Sequence, residues 1–316
     1  MKVLLIGGSG YVGSSLAIDL LCNKYKVTVY DAQWFGKGSP PDNENYKLIE
    51  GDIRDHDKLV DALRDQDAVI YLASLTNNDE CNKDPALAFE VNEEAFVKVF
   101  AAAHRMKVKR FIYASSVAAY GNSSDLLTEE TELKPTTLYG QGKKYCEEHL
   151  RKHSWDNWVI VRPASVCGYS PRMRFDLTVN KMVHDAFTKT RITVNGGQQT
   201  RSHVHIQDLN RFYDFILKMP GKTVFRQAFN VVSENQKVLD TAKTVERLIP
   251  GTRLEILDRS DNRSYMASGE KAKKLGFVTK KYVWDAAKDI YVRFQDGYWA
   301  DTLDKPEYFN VRKPCG

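Results

Sequence analysis

A tyrosine and a lysine four residues apart are the clearest pair of side chains that could do chemistry. They are the ends of the segment Tyr139-Gly140-Gln141-Gly142-Lys143, and this spacing puts two side chains on one face of a helix. A phenol is a poor base because its ordinary pKa is about 10, but an ammonium and a positively charged cofactor ring lower that pKa in a poorly solvated site. The pair predicts a general base, Tyr139, assisted by Lys143. The alternative is a chance spacing on a helix surface.

Two serines could hold the oxygen from which such a base takes a proton. Ser115 and Ser116 follow the apolar run 111–114, which is typical of a strand. They would therefore lie at the carboxyl end of a strand, where ligands bind in open α/β sheets. The alternative is a pair of turn or capping serines, but the combination with Tyr139 and Lys143 favours a catalytic role.

A glycine loop near the N-terminus indicates a phosphate-bearing cofactor. Gly7, Gly10 and Gly13 have the order G-x-x-G-x-x-G between a predicted first strand and a predicted first helix. Glycine lets the backbone approach a pyrophosphate, and the N-terminus of the helix then faces its negative charge. A tight strand-to-helix turn without a ligand is the alternative, but the position after a first strand favours dinucleotide binding.

An aspartate at the end of the second predicted strand indicates which dinucleotide is bound. Asp31 stands eighteen positions after Gly13, where a carboxylate can accept both ribose hydroxyls and would repel a 2′-phosphate. No arginine follows Asp31 directly, so the sequence predicts NAD rather than NADP, the alternative being an exposed carboxylate at a strand end. Asp52 and Ile53, after the third predicted strand, are candidate adenine contacts.

Composition excludes several classes of protein. The 316 residues are 42% hydrophobic and 28% charged, as in ordinary globular proteins, and no apolar run reaches the ~20 residues that span a bilayer. The net charge of +5 is spread along the chain, which does not favour a nucleic-acid partner. The five cysteines are far apart, so we expect reduced thiols rather than disulfides or zinc. A cytoplasmic protein without a membrane partner is predicted.

Strands and helices alternate through the first half of the chain. Nearly all-apolar strands in such an alternation predict an α/β fold, a Rossmann-type doubly wound parallel sheet. After about Cys167 the pattern loosens, which predicts an NAD-binding domain at 1–166 and a smaller α/β region at 167–316, mainly for the substrate, with the chain free to cross between them. The predicted strands are 3–6, 26–30, 47–50, 68–72, 110–114 and 158–161, and the predicted helices are 11–22, 57–64, 85–106 (capped by Asp84) and 139–152.

These motifs together resemble those of the extended short-chain dehydrogenase/reductase family, and in particular its nucleotide-sugar epimerases, dehydratases and dehydrogenases. The resemblance covers nearly the whole chain and includes the segments 7–13, 71–74, 84–92 and 114–121. It implies that Ser116, Tyr139 and Lys143 are the catalytic residues. It also implies NAD contacts from Gly7, Gly10, Tyr11, Val12, Gly13, Asp31, Asp52, Ile53, Leu72, Ala73, Ser74, Asn92, Ser115, Tyr139 and Lys143.

The second half is similar to the same family and implies a nucleotide-diphosphate sugar as substrate. Segment 199–209 resembles the strand whose arginine binds the substrate diphosphate, so Arg201 inherits that role and Arg263 is the expected second arginine. Asn180 and Ser116 are further substrate contacts. Segment 162–168 resembles the family's Arg-Pro-x-Asn-x-Tyr-Gly element, but Ser165 replaces the asparagine and Cys167 the tyrosine, which makes the substrate contact expected of Ser165 different from the family's.

The resemblance implies oxidation of a ring hydroxyl at C4 by a 4-epimerase or a 4-dehydrogenase, and the motifs do not separate the two. Val117 and Ala118 stand where the family's 4,6-dehydratases have Asp-Glu. A dehydratase therefore stays an alternative only if a carboxylate such as Asp79 or Glu80 substitutes.

Two alternatives lie outside catalysis on sugars. A non-catalytic dinucleotide-sensing regulator would not need the serine, tyrosine and lysine, and an RNA-binding derivative would need a basic, aromatic stripe that is absent from the sequence. His203 and His205 share a strand face without a third ligand, so no metal is expected. The resemblance also implies a homodimer formed by the helices at 85–106 and 139–152.

Overall fold

The computed structural model describes residues 1–36, 42–76, 78–259, 264–299 and 305–310. The strands are β1 (Lys2–Ile6), β2 (Lys26–Asp31), β3 (Tyr46–Glu50), β4 (Ala68–Tyr71), β5 (Arg110–Ala114), β6 (Leu126–Leu127), β7 (Trp158–Pro163), β8 (Ser165–Cys167), β9 (Arg191–Asn195), β10 (Thr200–His205), β11 (Gln227–Val231), β12 (Glu234–Lys237), β13 (Arg253–Leu257) and β14 (Met266–Ala267). The helices are α1 (Tyr11–Cys22), α2 (His56–Leu63), α3 (Asn78–Lys83), α4 (Pro85–Phe89), α5 (Ala95–Arg105), α6 (Leu138–Lys152), α7 (Thr178–Lys189), α8 (Ile206–Lys218), α9 (Gly221–Val224), α10 (Val238–Leu248), α11 (Glu270–Lys274) and α12 (Val283–Gln295).

Seven parallel strands form the central sheet, in the order β11-β7-β5-β4-β1-β2-β3. Strand order reverses between β1 and β4, which opens a crevice at their carboxyl ends. Separate apolar clusters cover the two faces of the sheet, as the nearly continuous apolar character of β1, β4 and β5 requires. The predicted Rossmann-type doubly wound fold is confirmed.

The helix predicted from Pro85 to Met106 is interrupted. Asp84 caps its start as predicted, accepting a hydrogen bond from the Leu87 amide at 3.1 Å, but a π-helical turn at Glu90–Glu94 separates α4 from α5. Such single π turns are frequent near functional sites. This one carries Asn92, which lies against the loop after β4.

The second half of the chain returns to the central sheet. Helix α8 packs on α1, where Asn210 donates to Ser15 and Asp19 at 2.8 Å each, and β11 forms the edge of the sheet beside β7. The remaining strands make three small sheets, β12-β10-β8, β13-β9 and β14-β6. Strands β8 and β9 contribute to a third apolar cluster, and β6 and β14 contribute to a fourth. Residues 206–231 of the second half thus pack on the central sheet.

None of the helices in the described part of the chain combines the length and the apolar character needed to cross a bilayer.

Candidate functional site

A cavity at the carboxyl ends of β1, β2 and β4 contains most of the residues predicted to bind the cofactor; we call it the cofactor trough. Its wall includes the glycine loop, the ends of β2 and β3 and the loop after β4. The predicted residues that line it are Gly7, Gly10, Tyr11, Val12, Gly13, Asp31, Asp52, Ile53, Leu72, Ala73 and Ser74. The sequence motifs at 7–13, 31, 52–53 and 72–74 thus meet in one place.

The glycine loop fits a pyrophosphate on structural grounds. Gly7 has φ +84°, and a Cβ built on it would lie 2.5 Å from the Ala73 nitrogen, so only glycine allows this turn to pack on the loop after β4. Gly10 precedes the first turn of α1, and no side chain caps that helix end. The N-terminal amides of α1 are therefore directed at the trough, where a phosphate group would satisfy them.

Asp31 is held in place by two backbone amides. Its carboxylate accepts hydrogen bonds from Ser9 at 2.9 Å and Gln33 at 2.7 Å, which orients the remaining lone pairs. Burial raises the pKa of Asp31, while these hydrogen bonds and the nearby charge of Arg172 oppose the increase. Arg172 comes from the second half of the chain and lines the same trough; the sequence analysis missed it.

Two aromatic residues that no sequence motif marked line the trough beside Asp31. Trp34 and Phe35 lie beside Asp31, with the Arg54 guanidinium 5.5 Å from the Trp34 ring centre and that of Arg172 5.5 Å from the Phe35 ring centre. The Asp52 carboxylate is bound by Arg54, with its closest contact at 2.8 Å.

Asn92 does not line the trough but lies behind it. Its side-chain oxygen accepts from the Ser74 hydroxyl at 2.9 Å and from the Leu75 amide at 2.7 Å, and its nitrogen donates to the Leu75 carbonyl at 3.1 Å. These bonds support the loop that lines the trough, and the direct cofactor contact expected of Asn92 stays a prediction.

A second cavity adjoins the trough and holds the predicted catalytic residues; we call it the substrate cavity. Ser116, Tyr139 and Lys143 line its wall, because the end of β5 and the first two turns of α6 pack against each other. Thr137 caps α6 through the Gly140 amide at 3.1 Å. A Cβ on Gly140 would lie 2.7 Å from the Ala118 carbonyl oxygen. Gly140 therefore lets the helix approach the serine loop closely, despite its low helix propensity.

The three side chains are close enough to act together, and their ionisation is strongly affected by burial. Burial raises the pKa of Tyr139 to about 12, while a hydrogen bond with Ser116 and the charge of Arg174 act in the opposite direction. Burial lowers the pKa of Lys143 to about 8. The Lys143 ammonium donates to the Ala114 carbonyl at 2.8 Å and lies 5.4 Å from the Tyr139 ring centre.

Ser115 and Ser116, although adjacent, have different surroundings. The Ser115 hydroxyl is buried and donates to the Glu147 carboxylate at 2.6 Å, whereas Ser116 bonds with Tyr139 and accepts from the Ala118 amide at 3.1 Å. The Ser115 side chain thus bonds inside the protein although the residue lines the substrate cavity, and the cofactor contact expected of Ser115 stays a prediction.

The predicted substrate residues divide into three groups. Ser165 and Arg201 line the substrate cavity and meet at Tyr265, which the sequence analysis missed: the Ser165 hydroxyl is 3.3 Å from its hydroxyl and the Arg201 guanidinium 5.2 Å from its ring centre. Asn180 is fully buried and is not part of the wall of the substrate cavity, so the substrate contact expected of it stays a prediction. Arg263 lies outside the described residues.

Asn180 organises the junction between the two cavities. Its amide donates to the Tyr11 hydroxyl at 3.1 Å and to the Arg174 carbonyl at 2.9 Å, and it accepts from the Gly168 amide at 3.1 Å. The Tyr11 hydroxyl in turn donates to the Gly168 carbonyl at 2.7 Å, so the glycine loop and the second half of the chain are joined here.

His203 and His205 lie two residues apart on β10 and are buried. The Nε2 atom of His205 lies 3.3 Å from the Asp289 carboxylate. Within the described ranges, no group of three His, Cys, Asp or Glu side chains could hold a metal ion.

Comparisons with known proteins agree with this geometry. A sequence model of the NAD dependent epimerase/dehydratase family matches residues 3–232. The chain is similar to a UDP-glucose 4-epimerase of Lactobacillus helveticus, at 28% identity over 78% of this chain and 82% of the relative. It is also similar to the dTDP-D-glucose 4,6-dehydratase of Bos taurus, at 26% identity over 99% of this chain and 94% of the relative.

A solved structure has the same fold. It is the UDP-glucuronic acid 4-epimerase of Bacillus cereus in complex with UDP-glucuronic acid and NAD, which superimposes with a TM-score of 0.81 at 23% identity, over 94% of this chain and 99% of that one.

Proposed function

The chain belongs to the NAD dependent epimerase/dehydratase family, and from this we propose that it is an NAD-dependent enzyme that inverts C4 of a nucleotide-linked sugar. The observation that carries the proposal is the continuity of the two cavities. Tyr11, Val12, Leu72, Thr76 and Arg174 line both of them. A dinucleotide in the trough would therefore extend to the cavity that holds Ser116, Tyr139 and Lys143.

The chain's own residues supply proton transfer and orientation. The Tyr139 phenolate takes the proton of the sugar hydroxyl, and the Ser116 hydroxyl, bonded to Tyr139, holds the sugar oxygen as it changes from hydroxyl to carbonyl. The Lys143 ammonium, close to both Tyr139 and the end of β5, holds the nicotinamide ribose. The chemistry that NAD supplies when bound is hydride acceptance from C4 and hydride return to the opposite face.

The substrate that fits the second cavity is a nucleoside diphosphate sugar. Arg201 offers a guanidinium on the wall beside Tyr265, and a planar fork of donors suits the oxygens of a diphosphate. The relatives named above act on UDP- and dTDP-linked sugars. These nucleotides are therefore the first substrates to test.

The experiment incubates the protein and NAD with UDP- and dTDP-linked hexoses and uronic acids in heavy water. We expect a product of unchanged mass, identified by NMR as the C4 epimer and carrying no deuterium on ring carbons, because the hydride never exchanges with solvent. The Tyr139→Phe variant is the control. Absence of interconversion with every sugar contradicts the proposal. Stoichiometric NADH with a product two hydrogens lighter would instead establish the 4-dehydrogenase alternative.

The assembly and the cellular location complete the proposal. We propose a homodimer through α4, α5 and α6, because Phe89 and Tyr145 on these helices are 51% and 44% exposed and apolar side chains of this size favour burial against a partner. A mass of one chain in solution light scattering would contradict the dimer.

We also propose a cytoplasmic protein, since Cys81, Cys146 and Cys167 are buried free thiols, as is usual in a reducing compartment.

We also propose that the chain is divided into an NAD-binding domain at 1–166 and a mainly substrate-binding region at 167–316. The exceptions include residues 206–231 and the side chains of Ala272 and Phe277, which pack with the first.

A further inference from the structure

Arg174 lies where the two cavities meet, although no motif in the sequence drew attention to it. Its side chain lines both the cofactor trough and the substrate cavity and is only 12% exposed. A buried guanidinium at the junction of two ligand cavities is costly to maintain unless it is paired or used. Its surroundings show how it is paired.

Three neighbours fix the orientation of Arg174. The Asp176 carboxylate accepts two hydrogen bonds from it, at 3.0 Å from Nε and 2.6 Å from Nη2, and the Thr76 hydroxyl accepts a third from Nη1 at 2.9 Å. Asn180 holds the Arg174 carbonyl at 2.9 Å. The guanidinium is thus held in one orientation. Its ion pair with Asp176 is bidentate, which is the geometry that arginine and carboxylates form best.

The phenol of Tyr139 has few charged neighbours. Several titratable groups on the surrounding elements interact electrostatically with this phenol. They are Lys143, Arg174, Cys81, Tyr113, Tyr213 and Tyr265. The cations among them are Lys143, one turn along the same helix, and Arg174, from the segment that follows β8. The Lys143 ammonium donates a hydrogen bond to the Ala114 carbonyl, so it is not directed at the phenol alone.

We propose that Arg174 is a positioning residue for proton transfer: its fixed guanidinium favours the phenolate of Tyr139, and Asp176 limits how much of that charge the phenol experiences. The proposal deepens the function proposed above and rests on Tyr139 being the base. Tyr139, Arg174 and Asp176 all line the substrate cavity, and the charge of Arg174 lowers the pKa of Tyr139 against the effect of burial. We expect Asp176, which carries the opposite charge, to act in the other direction.

Opposite shifts in two variants distinguish this role from simple support of the fold. In Arg174→Met the lost cation raises the pKa of Tyr139, because a positive charge favours the phenolate. In Asp176→Asn, which keeps the shape of the side chain, the same pKa falls. Arg174→Lys keeps the charge and returns the pKa towards that of the unaltered protein. Arg211→Met is the matched control, because Arg211 also pairs with a nearby aspartate and stacks on a ring, at 5.2 Å from the Phe277 ring centre.

The experiment measures the Tyr139 ionisation in two ways, with NAD bound. One is the pH dependence of kcat, and the other is the ultraviolet difference absorbance of tyrosinate against Tyr139→Phe, which needs no turnover. Opposite shifts in Arg174→Met and Asp176→Asn, with none in Arg211→Met, support the proposal. Unchanged ionisation in Arg174→Met, or shifts of the same sign in both variants, overturns it. If Arg174→Met does not fold, Asp176→Asn decides: a pKa at or above that of the unaltered protein overturns the proposal.

The two readouts also separate this inference from the proposed function. Opposite absorbance shifts without turnover of any nucleotide sugar leave the role of Arg174 intact and contradict the proposed reaction. If a nucleotide sugar is turned over but neither variant changes the ionisation of Tyr139, the proposed reaction is supported and the role of Arg174 is contradicted.

Discussion

Arg162 and Glu147 form an ion pair that is closed to solvent. The guanidinium donates to the two carboxylate oxygens at 2.8 Å and 2.5 Å, and the side chains are 2% and 0% exposed. Glu147 stands four residues after Lys143 on α6 and also accepts from Ser115. The pair therefore connects β7, the helix that carries Tyr139 and Lys143, and the strand end that carries Ser116.

Breaking this pair should be strongly destabilising. In Arg162→Met the Glu147 carboxylate stays buried without its main partner, and we expect a loss of about 3–5 kcal/mol in the free energy of unfolding. Lys98→Met is the control, because its pair with Glu94 is about half exposed on both sides and should contribute about 0–1 kcal/mol. Urea unfolding followed by circular dichroism compares the two. Equal losses would show that burial adds nothing to the Arg162–Glu147 pair.

The phenol of Tyr139 should be needed for turnover and dispensable for cofactor binding. Tyr139→Phe keeps the ring that packs near Lys143 and removes only the proton acceptor, so we expect kcat to fall by about 10²–10⁴-fold. NAD affinity, measured by calorimetry, should change less than about twofold. A variant that retains more than about a tenth of the rate, a loss below ~1.4 kcal/mol, would show that another group is the base.

Asp31 should set the preference for NAD over NADP. Its carboxylate, fixed by the Ser9 and Gln33 amides, accepts ribose hydroxyls and repels a 2′-phosphate, so NAD should bind at least about tenfold tighter. Asp31→Ala should remove most of this ratio, particularly because Arg172 then remains as the charge at that end of the trough.

Glu50→Ala tests whether the Asp31 effect is specific. Glu50 pairs with Asp31 in register on the neighbouring strand but does not line the trough, so this variant should keep the NAD preference. The assignment of Asp31 fails if NADP binds the unaltered protein as tightly as NAD, whatever the variants do.

Arg201 should contribute to substrate binding and not to cofactor binding. Removing its guanidinium in Arg201→Ala deletes a charge-assisted contact to the diphosphate, worth about 1.5–3 kcal/mol or roughly 10- to 100-fold in affinity. Arg191→Ala, an exposed arginine at the start of β9 with a weak pair to Glu255 at 3.6 Å, is the control. Calorimetry with the nucleoside diphosphate alone measures the effect. Unchanged affinity in Arg201→Ala would contradict the role that the family resemblance implies. Arg263→Ala is expected to act in the same way.

Local patterns predicted the parts of this protein that depend on neighbours in the sequence. Gly7 and Asp31 could be assigned because a turn that packs on backbone and a carboxylate at a strand end are both set by a few consecutive residues. The spacing of Tyr139 and Lys143 placed them on one face of α6 for the same reason. The seven-stranded sheet followed from apolar strands alternating with helices.

The contacts that the sequence did not reveal are those between distant segments. Arg172 and Arg174 reach the trough from the second half, and nothing in their local pattern distinguishes them from surface arginines. The hydrogen bonds that the Asn92 and Ser115 side chains make inside the protein were likewise not visible in the sequence. A shift of one residue in a strand, or a π turn in a helix, changes the direction in which a side chain points. The periodicity of the sequence does not reveal such local changes. The one sequence feature that could have pointed to Arg172 and Arg174 was their position a few residues after the motif at 162–168.

The product should retain all its oxygen, which separates this chain from the 4,6-dehydratases in its family. Elimination of water after oxidation at C4 needs a base for the C5 proton and an acid for the leaving C6 hydroxyl, both held over the sugar. Val117 and Ala118, at the start of the short helix after Ser116, can serve as neither. Among the residues that the structure describes, the carboxylates on the wall of the substrate cavity are Asp79 and Asp176, and the Asp176 carboxylate already accepts two hydrogen bonds from Arg174.

Because the positions after Ser116 offer neither the base nor the acid that this elimination needs, we expect no loss of water. Mass spectrometry of the nucleotide product, with UDP- and dTDP-linked hexoses as substrates, measures this directly. A product lighter by one water would contradict the prediction, and loss of that product in Asp79→Asn but not in Glu80→Gln would then identify Asp79 as the group that the sequence pattern after Ser116 lacks.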